Sequence, residues 1–523
     1  MICNFKNMVI LAFLTSSLPS FSQENPMPMG QTTPTVPLIY QNHHQHFGYH
    51  NKWHNSTSLA SEPTQKPLAP SMTTGARFNE QYLNKEIALW MLRQINESTP
   101  IIEDAWVSQL IYDMTASMNA TVRTQPLIAT PIIHDNSINA FAVPGGLIGL
   151  NTGTVLSSGS LDEVASVLAH EIAHLSQRHY EHRQDEKGKL LALQLGGLLT
   201  AVVASAVSGD LATTALIGSQ TAVAESMATH SREHEKEADR VGMQILAQSG
   251  YDARAMARFF ERLYKQASLH QSKDAFLPSF VQSHPLTADR LSEASVRAMA
   301  YPLVSMSTKE SQARDFDKLT WRLRYLTHQA DISTLDIASK SSQGATLALV
   351  GALADKGRYD EAMEVFGRGN FDKSDPLVCI THAHVLTKKG SHAEAVAVLT
   401  ACQAIYPERR DLRIHLANAR IDVNDGDEAI RLVKPLTDKT AHDREAWGVL
   451  QRAYEKSTLS PALANIYALH ARSQVELWGA KYQGALQSNA QAIKIAKENP
   501  DFNVLPMLEN SKQAIMTARD YRP

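Results

Sequence analysis

A pentapeptide able to bind a metal ion carries most of the chemical information in this chain of 523 residues. His170-Glu171-Ile172-Ala173-His174 places two imidazoles four residues apart, and residues at that spacing share one face of a helix. Both imidazoles can then coordinate one ion, while Glu171 reaches the water that the ion binds. The pattern predicts that His170 and His174 bind one zinc ion per chain and that Glu171 is the catalytic base.

A second segment offers the third ligand that such a site requires. Catalytic zinc keeps three protein ligands and leaves a fourth position for water or substrate. Glu235 and Asp239 are four residues apart, so they also share a helix face. We predict that Glu235 binds the ion and that Asp239 accepts the free ring N–H of a zinc-bound histidine. Zinc-bound water beside a carboxylate hydrolyses peptide bonds, so the two segments together indicate a peptidase.

The sequence around both segments favours helices. Ser160-Leu161-Asp162-Glu163 has the form of a capping box, and apolar residues recur at helical spacing as far as Leu175. The second helix is predicted to continue through Ile245 and Leu246 and to end at Ser249-Gly250. Two rigid helices would therefore hold the candidate ligands.

Two short upstream segments are predicted to form strands. Residues 131–134 and 147–151 contain the branched and apolar side chains that strands prefer, and Pro144-Gly145-Gly146 marks a turn between them. A strand here could pair through its free edge with an extended substrate. The alternative is a hairpin that only fills out the core.

These motifs resemble the gluzincins, a family that includes the CAAX prenyl endopeptidases and the heat-shock membrane peptidases. The resemblance rests on four features: the segment Asn139-Ala-Phe-Ala-Val-Pro-Gly-Gly, the histidine pentapeptide, the Glu235 to Asp239 spacing, and Ser283-His284-Pro285-Leu286 followed by Arg290. It implies the same three zinc ligands and the same base. It also implies that Asp239 is a supporting acid or a proton donor.

His284 and Arg290 are left with more than one role. In the family, the histidine that matches His284 either stabilises the oxyanion or occupies the open zinc position as a reversible latch. The two roles exclude each other at any moment, because a fourth protein ligand displaces the catalytic water. A turn histidine before Pro285 without a catalytic role is the third alternative. Arg290 could support the oxyanion or pair with an acid.

The N-terminal segment predicts export. Residues 1–22 read as a signal peptide, since Lys6 precedes an apolar run and Ser20 and Ser22 supply small residues before the cleavage site. Residues 23–75 are rich in His, Pro and Gln and are predicted to be disordered. The formal charge of −3 gives no electrostatic reason to expect a nucleic acid partner.

A stretch without charged residues raises the question of a membrane. Residues 190–209 are long enough to cross a bilayer, but Glu235 must return to the ion that His174 binds. One crossing would separate the two ligands. We therefore expect buried helices or helices in peripheral contact with a membrane over residues 190–229. A peptidase embedded in the bilayer is the alternative.

Repetition dominates the C-terminal part of the chain. Ala362, Ala395 and Ala429 occupy matching positions at intervals of 33 and 34 residues, the period of tetratricopeptide repeats. Such repeats stack into a curved surface suited to extended partners, whereas a plain helical bundle would lack that face. Cys379 and Cys402 fall on the two helices of one repeat, where a disulfide is possible, although we expect buried unpaired thiols.

The fold class that follows is α+β, mostly α. A zincin metallopeptidase domain is expected at residues 76–305 and a tetratricopeptide α-solenoid at residues 306–515. The expected function is zinc-dependent cleavage of unfolded or misassembled envelope proteins, together with a chaperone-like role. Resemblance to the bacterial family members that act in outer-membrane assembly implies a periplasmic location, β-barrel precursors as clients, and the barrel assembly machinery as a partner of the repeats. The alternative is chiefly a chaperone or adaptor with a latched protease.

Overall fold

The computed structural model describes residues 74–122, 126–177, 222–269, 280 and 284–523. The predicted signal peptide, most of the predicted disordered segment and the uncharged stretch 190–209 lie outside these residues. The first helix begins at Thr74, slightly before the predicted domain boundary at residue 76. Residues 71–523 form one compact unit, so the predicted division at residue 305 stays a prediction.

The N-terminal part combines a small sheet with long helices. In chain order its elements are α1 (Thr74–Ser98), α2 (Ala105–Val122), β1 (Ile132–Ile133), β2 (Ala140–Val143), β3 (Leu147–Asn151), α3 (Thr152–Ser157), α4 (Leu161–Ser176), α5 (Ala222–Gln248), α6 (Arg254–Leu269) and α7 (Ala288–Ala298). Helix α2 packs against both α4 and α5, and these two helices also pack against each other.

The sheet has the strand order β1-β3-β2. Both predicted strands are present, and they pair in parallel, with Ile132 opposite Leu150. The intervening strand β2 was not predicted, and it forms an antiparallel hairpin with β3. Its four residues are all buried, so the alternation that marks a half-exposed strand is absent from the sequence. The hairpin turn requires glycine, because a Cβ on Gly145 would lie 2.1 Å from the carbonyl oxygen of Asn84.

Helix α4 has the predicted extent, and α5 ends where predicted but begins at Ala222, before the segment read as helical. The Ser160 side chain caps α4 by accepting a hydrogen bond from the Glu163 amide at 3.3 Å. The Glu163 carboxylate accepts from the amide of Gly159 at 2.7 Å, so only one half of the predicted capping box forms. Helix α5 ends at Gln248, and Gly250 follows with a positive φ of +81°. The predicted stop at Ser249-Gly250 is therefore confirmed.

Paired helices make up the C-terminal part. Its elements are α8 (Met306–Leu326), α9 (Ile332–Ser339), α10 (Gln343–Asp355), α11 (Tyr359–Arg368), α12 (Pro376–Lys389), α13 (His392–Ile405), α14 (Arg410–Asp422), α15 (Gly426–Lys439), α16 (Arg444–Glu455), α17 (Pro461–Trp478), α18 (Tyr482–Glu498), a 3₁₀ turn (Pro500–Phe502) and α19 (Leu505–Asp520). The register alanines Ala362, Ala395 and Ala429 are each 0% exposed near the starts of α11, α13 and α15. Small side chains at these positions let the two helices of each pair approach closely.

The two cysteines of the repeat region are bonded to each other, so the expectation of unpaired thiols is wrong. Cys379 on α12 and Cys402 on α13 form a disulfide, with their Cα atoms 6.5 Å apart. The sequence correctly placed them on the two helices of one repeat. The sequence did not specify which faces of those helices meet. The two cysteines lie on the faces that meet, so they can bond to each other.

Among the described residues, no helix is long and apolar enough to cross a membrane. Most of the predicted membrane-contacting region, residues 190–221, lies outside the described part of the chain. The expectation of buried or membrane-touching helices there stays a prediction.

Candidate metal centre

Three imidazoles and one carboxylate converge between α4, α5 and the segment before α7. His170, His174, Glu235 and His284 each offer one ligand atom, and these atoms all lie within 4.8 Å of one another. All four side chains are buried, with residue exposures between 1% and 7%. Sequence reasoning singled out all four residues, and the structure brings them to one point.

The spacing of these atoms fits a tetrahedral ion. Four ligand atoms about 2.0 Å from a central zinc ion are roughly 3.3 Å from one another. Nε2 of His170 lies 3.0 Å from Nε2 of His174 and 3.3 Å from Nδ1 of His284. The Glu235 carboxylate lies 3.3 Å from Nε2 of His170, 3.4 Å from Nε2 of His174 and 3.0 Å from Nδ1 of His284. Buried nitrogen and carboxylate donors at these distances form a ligand set suited to zinc.

Close packing of α4 on α5 brings Glu235 to the two histidines. Gly242 lies seven residues, or two helical turns, after Glu235. A Cβ at Gly242 would lie 3.3 Å from the backbone nitrogen of His170, a closer approach than most real Cβ contacts. Glycine at this position therefore lets the backbones of the two helices approach at the level of the site.

Asp239 lies behind His170. Its Oδ1 is 3.1 Å from Nδ1 of His170, the ring nitrogen that faces away from the candidate ion. Burial opposes ionisation of Asp239, but interactions with Arg290 and His170 outweigh it and lower the pKa of the carboxyl. An ionised carboxylate at this distance favours an imidazole that carries its proton on Nδ1.

The protonation of His170 reflects the same neighbours. Burial favours the neutral imidazole, yet the carboxylates of Asp239 and Glu235 outweigh burial and raise the pKa of His170 to about 9 in the metal-free protein. A proton therefore balances part of the buried negative charge when no ion is bound. A metal ion would have to displace that proton, because only the neutral ring coordinates.

Arg290 pairs with acids, which resolves the choice that its sequence context left open. Its Nε and Nη2 donate to the two oxygens of Asp239 at 2.7 and 2.8 Å. Nη1 donates to the carbonyl oxygen of Pro285 at 2.8 Å and lies 3.1 Å from Oε2 of Glu235. All three nitrogens of the guanidinium are thus occupied within the protein, which leaves it badly placed to stabilise an oxyanion.

Glu171 lies beside the ligand cluster without joining it. The residue is 0% exposed, and its Oε1 is 3.5 Å from Nε2 of His284. Burial raises the pKa of this carboxyl, although the charges of His284 and His170 partly oppose the rise. The arrangement places a basic carboxylate next to the corner of the tetrahedron that His284 fills.

Phe280 contributes to this site, and sequence reasoning missed it. Its ring lies 4.8 Å from the ring of His284, and its carbonyl oxygen accepts a hydrogen bond from the His284 amide at 2.8 Å. The Phe280 amide in turn donates to Ile138, just before β2, at 3.0 Å. The sequence did offer one signal for Phe280. It is an aromatic residue four positions before His284, and side chains at that spacing can contact each other.

The four candidate ligands lie within a segment that matches a known peptidase family. Residues 102–298 match the model of peptidase family M48, and residues 386–453 match a tetratricopeptide repeat. The chain is 26% identical over 432 residues to a putative beta-barrel assembly-enhancing protease of Vibrio cholerae, covering 78% of this chain and 84% of that protein. It is 26% identical over 380 residues to the beta-barrel assembly-enhancing protease of Escherichia coli K12, covering 70% and 75% of the two chains. The mitochondrial metalloendopeptidase OMA1 of Bos taurus is 31% identical over 165 residues, 30% of each chain.

The role of Arg290 can be tested through metal affinity. Arg290→Lys keeps the charge but loses the planar fork that holds Asp239 and Pro285 together, so zinc binding should weaken by roughly 10–100-fold. Competition with a coloured chelator measures the affinity. Arg297→Lys is the matched control, since Arg297 lies on the same helix and pairs with the partly exposed Glu293. Equal zinc affinities in the two variants would contradict the assignment.

Proposed function

Since the chain carries a metalloendopeptidase domain of family M48 ahead of tetratricopeptide repeats, we propose that it is a zinc-dependent endopeptidase with His170, His174 and Glu235 as ligands. The observation that carries the proposal is the set of ligand-to-ligand distances between 3.0 and 3.4 Å. Those distances suit an ion with bonds of about 2 Å in tetrahedral geometry. Zinc bound there would polarise the substrate carbonyl and lower the pKa of a coordinated water.

Glu171 is the proton carrier in this proposal. Its buried carboxylate, with a raised pKa, is suited to accept a proton from the attacking water near neutral pH. It can then deliver that proton to the leaving amine. Asp239 keeps His170 in the coordinating orientation throughout, with Arg290 holding Asp239 in place.

Strand β2 offers a place for an extended substrate. It is an edge strand in the described sheet, and it packs against the ligand helix α4. The Asn151 amide donates to the Asn139 carbonyl, so these two residues form a hydrogen-bonded pair of the hairpin. Because hydrogen-bonded pairs alternate with non-hydrogen-bonded pairs along antiparallel strands, the N–H and C=O groups of Ala140 and Ala142 point away from β3. The Ala142 amide already interacts with the Glu171 carboxylate, whereas the groups of Ala140 can pair with the backbone of a bound peptide whatever its side chains are. Broad specificity would follow, which suits a peptidase that acts on misfolded proteins.

His284 is proposed to be a reversible latch. Its Nδ1 occupies the fourth corner of the ligand cluster, where catalytic water must bind. In this arrangement the resting enzyme is inhibited, and a client that withdraws His284 shifts the population toward the active state. An oxyanion role would instead require the imidazole to point at substrate rather than at the ligands.

We further propose that the protein acts in the periplasm on unfolded or misassembled outer-membrane proteins, with a chaperone-like role for the repeats. The names of the Vibrio and Escherichia relatives support a role in β-barrel assembly. The family resemblance adds the barrel assembly machinery as the proposed partner of the repeats. The disulfide between Cys379 and Cys402 supports an oxidising compartment. The latched position of His284 also favours a second candidate function, an adaptor whose proteolysis is only occasionally released.

The zinc assignment predicts different outcomes for ligands and base. Replacing His170 and His174 together by Ala should remove both zinc and casein hydrolysis. Glu171→Gln should keep stoichiometric zinc and lose hydrolysis, because the base is not a ligand. Metal analysis beside a casein assay distinguishes the two classes. Stoichiometric zinc in the double histidine variant would disprove the ligand set.

The latch predicts that removing His284 activates the resting enzyme. If the ligand exchange is worth about 3 kcal/mol, the active state is populated at roughly one per cent, so His284→Ala should raise basal casein hydrolysis by up to about 100-fold. An oxyanion role predicts a loss of about two to three orders of magnitude instead. An unchanged rate would exclude both roles.

A further inference from the structure

Helix α8 links the repeat region to the helices that hold the candidate metal centre. It is the first helix after α7, and it packs against α10 of the repeat region and against α3 and α4 of the peptidase region. Leu319 and Leu323, which lie one turn apart on α8, are 0% exposed within this contact. One face of the C-terminal half of the helix is therefore buried where the peptidase region meets the repeats.

Polar side chains of α8 bind the ends of helices in the repeat region. Asp317 accepts hydrogen bonds from the Ser342 hydroxyl at 2.6 Å and from the Gly344 amide at 2.7 Å, at the start of α10. Nζ of Lys318 donates to Asp375, the N-cap of α12, at 2.7 Å. One helix thus fixes where two repeat helices begin.

On the peptidase side, Arg322 makes the equivalent contact with α2. Its Nε and Nη2 donate to Oδ2 of Asp104 at 3.1 and 2.7 Å. The other oxygen of Asp104 accepts from the Val107 amide at 2.9 Å and so caps α2. The two side chains are 13% and 5% exposed, which makes the pair largely inaccessible to water. Burial opposes the ionisation of Asp104, but the charge of Arg322 and the hydrogen bonds from Val107 and Arg322 together outweigh burial and lower the pKa of the carboxyl.

Arg322 thus contacts the start of α2, and α2 packs against both helices that carry the candidate ligands. Helix α2 packs against α4, which carries His170 and His174, and against α5, which carries Glu235. On its other side α2 packs against α14 of the repeats. A displacement at the start of α2 would therefore reach both ligand helices.

We propose that Arg322 is a positioning residue for the peptidase, acting through Asp104 and α2 on the two ligand helices. The first helix of the repeat region is then a part of the catalytic scaffold, and the peptidase depends on it for alignment. Breaking a buried ion pair leaves an uncompensated charge, so loss of Arg322 should loosen the start of α2. The role of Arg322 in catalysis rests on the proposed peptidase function, whereas its effect on amide exchange in the ligand helices does not.

Hydrogen exchange and kinetics on the full zinc-loaded chain test the proposal. Arg322→Met should speed amide exchange in α2, α4 and α5 by roughly tenfold. At equal zinc content it should lower kcat on a casein-derived peptide by roughly 10–100-fold and leave KM unchanged, because misalignment affects the chemical step more than peptide binding. Arg324→Met is the matched control, since Arg324 lies on the same helix and stacks on Trp321 of that helix. It should behave like the wild type.

Asp104→Asn provides a second, independent arm. Asparagine can keep the cap on the Val107 amide while losing the charge that Arg322 pairs with. It should reproduce the exchange pattern of Arg322→Met, and the double variant should be no worse than the more damaged single variant. If Arg322→Met does not fold, Asp104→Asn carries the comparison alone. Wild-type exchange in α4 and α5 together with wild-type kcat would overturn the proposal, as would additive losses in the double variant.

Discussion

Four candidate ligand atoms from three separate segments lie close enough together to bind one ion, on side chains that are all buried. Imidazole and carboxylate groups buried this deeply must be satisfied by a proton or by a metal, because unsatisfied buried polar groups cost several kcal/mol each. Three features bring the ligand atoms together: the contact of α4 with α5, the close approach at Gly242 and the placement of His284. Loss of any of them would separate donors that are useful only together.

Charge balance explains why the surroundings of the site are built as they are. Glu171, Glu235 and Asp239 place three carboxylates in a buried region, and Arg290 supplies one fixed positive charge among them. A divalent ion would neutralise the remainder. In the metal-free protein the raised pKa of His170, about 9, partly fills the same need with a proton. The electrostatics of the site thus favour a doubly charged cation.

Local patterns predicted what depends on local spacing. The helix face shared by His170 and His174, the end of α5 and the register of the repeat alanines follow from short-range periodicity, and the structure has all three. Strand β2, the Cys379–Cys402 pairing and the contacts of Arg290 depend on which distant segments meet. No pattern in a single sequence encodes such contacts. Strand β2 was therefore missed, the thiols were expected to be unpaired, and the role of Arg290 was left open.

The account as a whole depends on His284 being a ligand in the resting enzyme, since that contact explains both the complete tetrahedron and the inhibited state. X-ray absorption at the zinc edge of the resting full-length protein tests it most directly. We expect four ligands at about 2.0–2.1 Å, of which three are imidazoles, and one imidazole fewer in His284→Ala. Two imidazoles in the resting wild type, with oxygen in the remaining positions and no change in His284→Ala, would contradict the account.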